Sequence, residues 1–208
     1  STESLQAFLD GLGLVVDMED PASEEIPRLS QLTQRTNQFN ASLLRLGEAE
    51  VRLAGVEGGL HQMVRARDRF GDYGVVGQMR AHPQGGTLNV DLFMLSCRAL
   101  GRGIEHRMLA AVGRHAQQLG LDDVAVHFRL GERNAPVRKF LEHAFDHVAA
   151  GDDFWFRMPA ARAASIVFDT SGSECPEQSA VDAVPADSAK PAPPNEDLGS
   201  LYERIAHG

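Results

Sequence analysis

Cysteine is scarce, with Cys97 and Cys175 the only two in 208 residues. Two thiols cannot frame a disulfide scaffold or a four-ligand zinc site. A reducing, cytoplasmic setting and no bound metal are therefore expected. No run of roughly 18 or more apolar residues is present, so no spanning helix is predicted. The start, STESLQAFLDGLGLVVDMED, lacks the basic opening and apolar stretch of a secretory signal. Neither a membrane nor a nucleic acid is expected as a partner.

Lysine is scarce too, and the charge is unevenly spread. The formal net charge is −9, yet residues 1–30 carry −6, residues 171–197 carry −5 and residues 198–208 balance. The middle, residues 31–170, is left at +2, with basic residues that are nearly all arginine. Arginine's planar fork suits phosphate and carboxylate better than lysine's point charge does. An anionic ligand fits such a segment, as does a surface of simply solvated arginines.

Thr170 to Asp197 holds five prolines and almost no bulky apolar residue. Such a stretch cannot bury enough surface to offset its ordering entropy, so 169–197 is expected to be a disordered linker. Beyond it, Leu198, Leu201, Tyr202 and Ile205 fall at i, i+3, i+4, i+7, the stripe of a short amphipathic helix over 198–208. It reads equally as a frayed tail or as a docking element or lead-in to a neighbouring domain.

Between these flanks, strand and helix patterns alternate. Arg28–Ala41 and GEAEVRLAGV have helical character, and HQMVRARDRFGDYGVVGQMRAH predicts two strands joined through DRFGDYG. TLNVDLFML is a further strand, separated from the hairpin by Pro83–Gly86. Arg102–Leu119 is the best helix, with Ile104, Met108, Leu109, Val112 and Ala116 on one face and Gly120 as its stop. DVAVHFRL, Ala135–Phe145 and DFWFRMP complete a strand, helix, strand order. The fold class expected is α/β (α+β): a mixed central sheet flanked by helices.

The most informative spot is where LNVDLFML runs into the long helix through SCRALGRGIEHRM. Gly101 and Gly103 there allow close backbone approach, and the free amides and dipole of the helix start favour an anion. The same two glycines also serve a tight strand-to-helix turn with no ligand. Arg98, Gly101 and Gly103 form Arg-x-x-Gly-x-Gly, which resembles the pyrophosphate-binding signature of the GCN5-related N-acetyltransferase (GNAT) superfamily. The order of elements agrees with that family, and no Gly-Lys-Ser/Thr of a P-loop is present. The resemblance implies a GNAT-like domain over 28–168, with 1–27 as a preceding junction. It implies coenzyme A at the turn, with Arg98, Gly101, Arg102 and Gly103 as its contacts. Asn134, opening the later helix, resembles the asparagine that helps hold the pantetheine arm.

Three blocks narrow the likeness: RLSQLTQRTNQFN (Arg28–Asn40), VRARDRFGDYGVVG (Val64–Gly77) and FMLSCRALGRGIE (Phe93–Glu105). They resemble the C-terminal GNAT-like half of FkbH-type proteins, over roughly residues 1–150. That resemblance implies transfer of a glyceryl unit onto the phosphopantetheine of an acyl carrier protein in polyketide biosynthesis. It also implies a haloacid-dehalogenase-type phosphatase partner, in cis upstream or in trans. Asp17, Glu19 and Asp20 do not form the Asp-x-Asp-x-Thr motif of that phosphatase, and SLQAFLDGLGLVVDMED resembles the junction that follows it.

Cys97 is the sharpest candidate for chemistry, since a neighbouring arginine and a nearby helix start both enrich a thiolate in general. A thiolate there accepts an acyl group and hands it to a carrier thiol, one thioester for another. The competing expectation is a small cysteine packed beneath the turn. His106 and His127 are candidate bases, with His61 behind them. Arg35, Thr36, Asn37, Gln38 and Asn40 offer donors and acceptors for a hydroxylated acyl unit, though Thr36 and Asn40 serve equally as helix caps. Arg35, Arg65, Arg67 and Arg69 suit a phosphate or an acidic carrier helix. Many GNAT enzymes carry a tyrosine seven residues after the motif asparagine, as acid for the leaving thiol. Position 141 is leucine, and Tyr73 and Tyr202 are the only tyrosines. Three functions remain open: covalent acyl transfer of FkbH type, an acetyl-CoA-dependent GNAT N-acetyltransferase, and a non-catalytic module that recognises the carrier protein.

Overall fold

The computed structural model describes residues 11–52 and 59–168. The chain divides into two units, Ser1–Glu174 and Cys175–Gly208. The second unit, with Cys175 and the expected amphipathic helix, lies outside the described residues, as does the expected linker.

The described strands form one six-stranded sheet in the order β1 to β6: Val15–Glu19, Leu60–Asp68, Gly71–Gln84, Thr87–Leu95, Asp123–Arg129 and Asp153–Pro159. All neighbours are antiparallel except β4 and β5. The helices are α1 (Ile26–Arg35), α2 (Glu48–Arg52), α3 (Ile104–Gln118), α4 (Ala135–Phe145) and α5 (Ala160–Ala164). Alternation along the strands divides the core between the two faces of the sheet. Met63, Val75, Leu92 and Met94 pack with Ile26, Leu29 and Leu32 of α1 and Val51 of α2. Val64, Val76, Phe93 and Leu95 pack with Ile104, Met108 and Val112 of α3 and Val137 and Leu141 of α4. Gly113 lets α3 lie against α5, since a Cβ there would stand 2.2 Å from the Ala164 nitrogen.

Three expectations are corrected. The segment expected as a junction supplies β1, whose Asp17 and Glu19 pair with Arg67 and Arg65 of β2 at 2.9 and 3.1 Å. Pro83 continues β3, and the turn is made by Gly85 and Gly86 at positive φ. Finally, α1 stops at Arg35 instead of running to Ala41. Its last carbonyls are taken by Arg45, whose guanidinium donates to the Thr33 and Thr36 oxygens. Thr36 turns extended there, which frees the chain to enter the sheet.

That entry shapes the middle of the molecule. The parallel pairing of β4 with β5 ends at Val90 and Val126, after which the two strands diverge. At the same point a bulge at Asp91, held by Arg80, shifts the phase of β4. The gap is filled by Phe39–Ala41. The Ala41 N–H donates to Phe93 O (3.0 Å), the Leu95 N–H to Phe39 O (2.9 Å) and the Arg129 N–H to Ala41 O (2.9 Å).

No described helix is long and apolar enough to cross a membrane. Among the described residues no group of three or more His, Cys, Asp or Glu could hold a metal ion.

Candidate active site

Beyond β4 the chain makes one 3-10 turn, Cys97–Ala99, which leaves the Cys97 side chain exposed. The thiol therefore does not pack beneath the turn. It lines a pocket of about 380 Å³ together with Thr36, Asn37 and Gln38 from the loop after α1. Two groups of residues singled out for unrelated reasons thus meet at one place. Arg28, Arg35, Arg98 and Arg133 complete a lining that contains no carboxylate. None of the four makes an ion pair among the described residues, although Arg28 donates to Gln31 and Arg98 to the Tyr73 carbonyl. Four guanidinium groups converging without a counter-charge favour an anionic occupant. Arg28 and Arg133 were not singled out by sequence. Arg28 lies one turn before the polar block, and Arg133 comes from the loop after β5, with no local pattern to mark it.

The other candidates lie elsewhere. His127 does not line this pocket: its Nε2 lies 2.7 Å from Asp153 Oδ1, and its ring stacks on Trp155 at 4.8 Å. Arg65 and Arg67 are spent on the β1 carboxylates. Asn40 is fully buried and works on the backbone: its Oδ1 accepts the Leu43 N–H and its Nδ2 donates to Leu44 O. Asn37 lines the pocket while its Oδ1 accepts from Arg45.

His106 sits among aromatic rings, 5.1 Å from Phe140 and 5.0 Å from Phe168 by centroid, with Nδ1 buried, without a hydrogen bond and 3.7 Å from Glu105 Oε1. Burial, aided by the nearby His143, pulls its pKa down to about 4. An unfolded histidine titrates near 6.5, so between those two values the unfolded chain binds the extra proton. Stability is then lost as pH falls from about 6.5 to about 4. Replacing His106 by Phe is expected to remove on the order of 2 kcal/mol of that acid sensitivity. Urea midpoints of both proteins at pH 7 and 4.5 measure it; equal losses would rule it out.

The turn ahead of α3 has the predicted shape, with Gly101 and Gly103 both at φ 75° and Gly103 as N-cap. Its contents are unexpected. The carboxyl group of Glu105, in the first turn of α3, is 6% exposed with Oε2 buried and without a hydrogen bond, and burial pushes its pKa up. The Phe168 ring covers Gly103 so closely that a Cβ there would stand 2.5 Å from its Cγ. Arg102 is held by Asp68 at 2.9 Å and lies over the Tyr73 ring.

No protein-family model and no curated protein sequence matches the chain, but solved structures do. It is similar to the ribosomal-protein-S18-alanine N-acetyltransferase from Escherichia coli, with 10% identity over 70% of this chain and 94% of that one and a TM-score of 0.51. It is similar to Mycobacterium smegmatis RimJ in complex with CoA-disulfide, with 15% identity, 74% and 89% coverage and a TM-score of 0.51. The fold is that of the GNAT acetyltransferases. A putative acetyltransferase of the GNAT family from Desulfovibrio desulfuricans agrees, at 15% identity, 71% and 99% coverage and a TM-score of 0.50.

A GNAT fold raises coenzyme A as a ligand, to which the resemblance assigns two features of this chain, the glycine turn and Asn134. At the turn, the first helical turn of α3 holds the buried acidic side chain of Glu105. At α4, the fully buried Asn134 donates to Arg129 O (2.8 Å) and Asn40 O (3.3 Å) and accepts the Gly131 N–H (2.8 Å). The amide has no donor left for a pantetheine arm. The contact that the resemblance assigns to Asn134 is thus taken by the chain's own backbone. A larger cavity of about 850 Å³, bounded by β1, β2, α3 and Ile166–Phe168, contains Arg102 alone of the candidate residues.

Proposed function

We propose that this GNAT-fold domain is an acyltransferase of FkbH type that moves a small hydroxylated acyl unit, such as glyceryl, through Cys97 onto a carrier-protein phosphopantetheine. The observation that carries the proposal is the exposed Cys97 thiol sharing one pocket with Thr36, Asn37, Gln38 and four arginines that make no ion pair among the described residues.

The Cys97 thiolate attacks the carbonyl carbon of an incoming thioester. A new S–C bond forms, the donor S–C bond breaks, and the departing thiolate takes up the proton that Cys97 gave up. The carrier thiol then repeats the exchange on the Cys97 thioester, so each step trades one thioester for another. Asn37 and Gln38 are suited to the hydroxyl groups of the acyl unit, and Arg35 and Arg133 to an anion on that unit or to the acidic surface of a carrier protein. A haloacid-dehalogenase-type phosphatase, in cis or in trans, belongs to the same proposal, as does a cytoplasmic setting. Leucine at position 141 leaves no tyrosine where an amine-acetylating GNAT enzyme places its acid.

Incubation with a glyceryl thioester, followed by intact-mass measurement before and after addition of a pantetheinylated carrier protein, tests the proposal. A single glyceryl mass increment that leaves the domain and appears on the carrier is the expected result. Acetylation of an amine with no enzyme adduct would replace it by the N-acetyltransferase assignment. Carrier binding without transfer would leave only a recognition module.

A further inference from the structure

Between β4 and β5 an extended ligand would have to bond the backbone groups of β4 that β5 leaves unpaired. Those groups are the Phe93 carbonyl and the Leu95 amide, and Phe39–Ala41 holds both. The inserted segment is not a loose plug. Phe39 is 3% exposed, its ring lies 5.5 Å from Phe140 and 6.2 Å from Phe93, and Phe93 stacks on Phe140 at 6.1 Å. His106 and Phe168 continue the same cluster up to Gly103. From the strand gap to the glycine turn, the path between α3 and α4 is packed with the chain's own side chains. At its far end the buried Glu105 side chain places an acidic group in the first turn of α3, where an anionic ligand would otherwise lie.

We infer that this domain has closed the coenzyme groove of its fold with its own Phe39–Ala41 strand and Glu105 carboxylate, and that its acyl donor is recognised without any nucleotide portion. Given Cys97 as the accepting thiol, as proposed above, the determinants of the donor are then confined to the acyl unit and the atoms next to its sulfur, at the arginine-lined pocket. An adenosine pyrophosphate attached further along the donor finds no seat. Opening the groove would break three backbone hydrogen bonds and separate a packed aromatic cluster, a change with no compensation from a ligand whose polar groups lose their partners as well.

Two measurements test this with the whole chain. In the first, coenzyme A is titrated calorimetrically into the Cys97→Ala protein, where no thiol exchange interferes. No saturable binding below about 1 mM is expected, whereas saturation in the tens of micromolar overturns the inference whether or not Cys97 is a nucleophile. In the second, wild-type loading rates are compared for glyceryl-coenzyme A and glyceryl-pantetheine. Rates within about threefold of each other are expected, and a preference of tenfold or more for the coenzyme overturns the inference. Absence of loading from either donor would count against the Cys97 proposal alone, since the titration still decides the groove.

Discussion

Cys97→Ala is expected to lower acyl loading and onward transfer by about 10³-fold or more, to the level of the uncatalysed exchange, while leaving the fold in place. The two halves of that expectation have separate grounds. The side chain is exposed at the mouth of a pocket, so its removal leaves no cavity and changes stability by about 0.5 kcal/mol at most. The chemistry, in contrast, has no substitute: no other described cysteine exists, and neither His106 nor His127 lines the pocket. Cys97→Ser keeps the size but offers a hydroxyl that stays protonated at neutral pH with no base in the pocket lining, and its rate should fall equally far. Retention of more than about a tenth of the wild-type rate in either variant, at unchanged Tm, would remove Cys97 from the mechanism. A parallel drop in Tm would instead mark it as a packing residue.

The periodic parts of the fold were legible in the sequence because their signals are local. The hairpin, the strand into the glycine turn, α3 and α4 each carry their apolar period within one window. Local pattern misleads where a distant residue decides the outcome. α1 ends at Arg35 because Arg45, nine and twelve residues beyond the carbonyls it serves, closes the last turn. β1 is short and acidic, and its partners Arg65 and Arg67 lie 46 to 50 residues away. The site shows the same division. Cys97 and the Thr36–Gln38 block stand out by chemistry, and the structure joins them, but Arg133 reaches the pocket only through the fold. Polar residues carry the least local signal of their role. Asn40 and Asn134 look like ligand contacts in one dimension, yet Asn134 donates to the Asn40 carbonyl and each amide serves the backbone around it. Glu105 lies in the first turn of α3, where the helix dipole favours an acidic residue, yet the fold buries it there.

Asn134→Ala should therefore be a stability variant first, with a loss of about 3 kcal/mol. Its amide joins three separate pieces of backbone: the end of β5 at Arg129, the loop at Gly131 and the inserted segment at Asn40. Truncation leaves a part-buried N–H and two carbonyls, one of them buried, without these partners, each worth roughly 1–3 kcal/mol when fully stranded, with partial relief as water or neighbours adjust. For a domain of this size the loss corresponds to a Tm lower by about 6–12 °C. Asn134→Asp sharpens the test. It keeps an acceptor for the Gly131 N–H but turns both donors into lone pairs facing carbonyl oxygens, so it should cost at least as much as alanine. Because Asn40 loses its anchor, Phe39–Ala41 loosens as well, and faster hydrogen exchange at the Ala41 and Leu95 amides should accompany the drop in stability. If Asn134 instead acted only on a pantetheine arm, alanine would melt with the wild type and exchange would be unchanged. That outcome would reopen the coenzyme groove as a ligand site, since the closed groove depends on Asn134 being engaged by the chain itself.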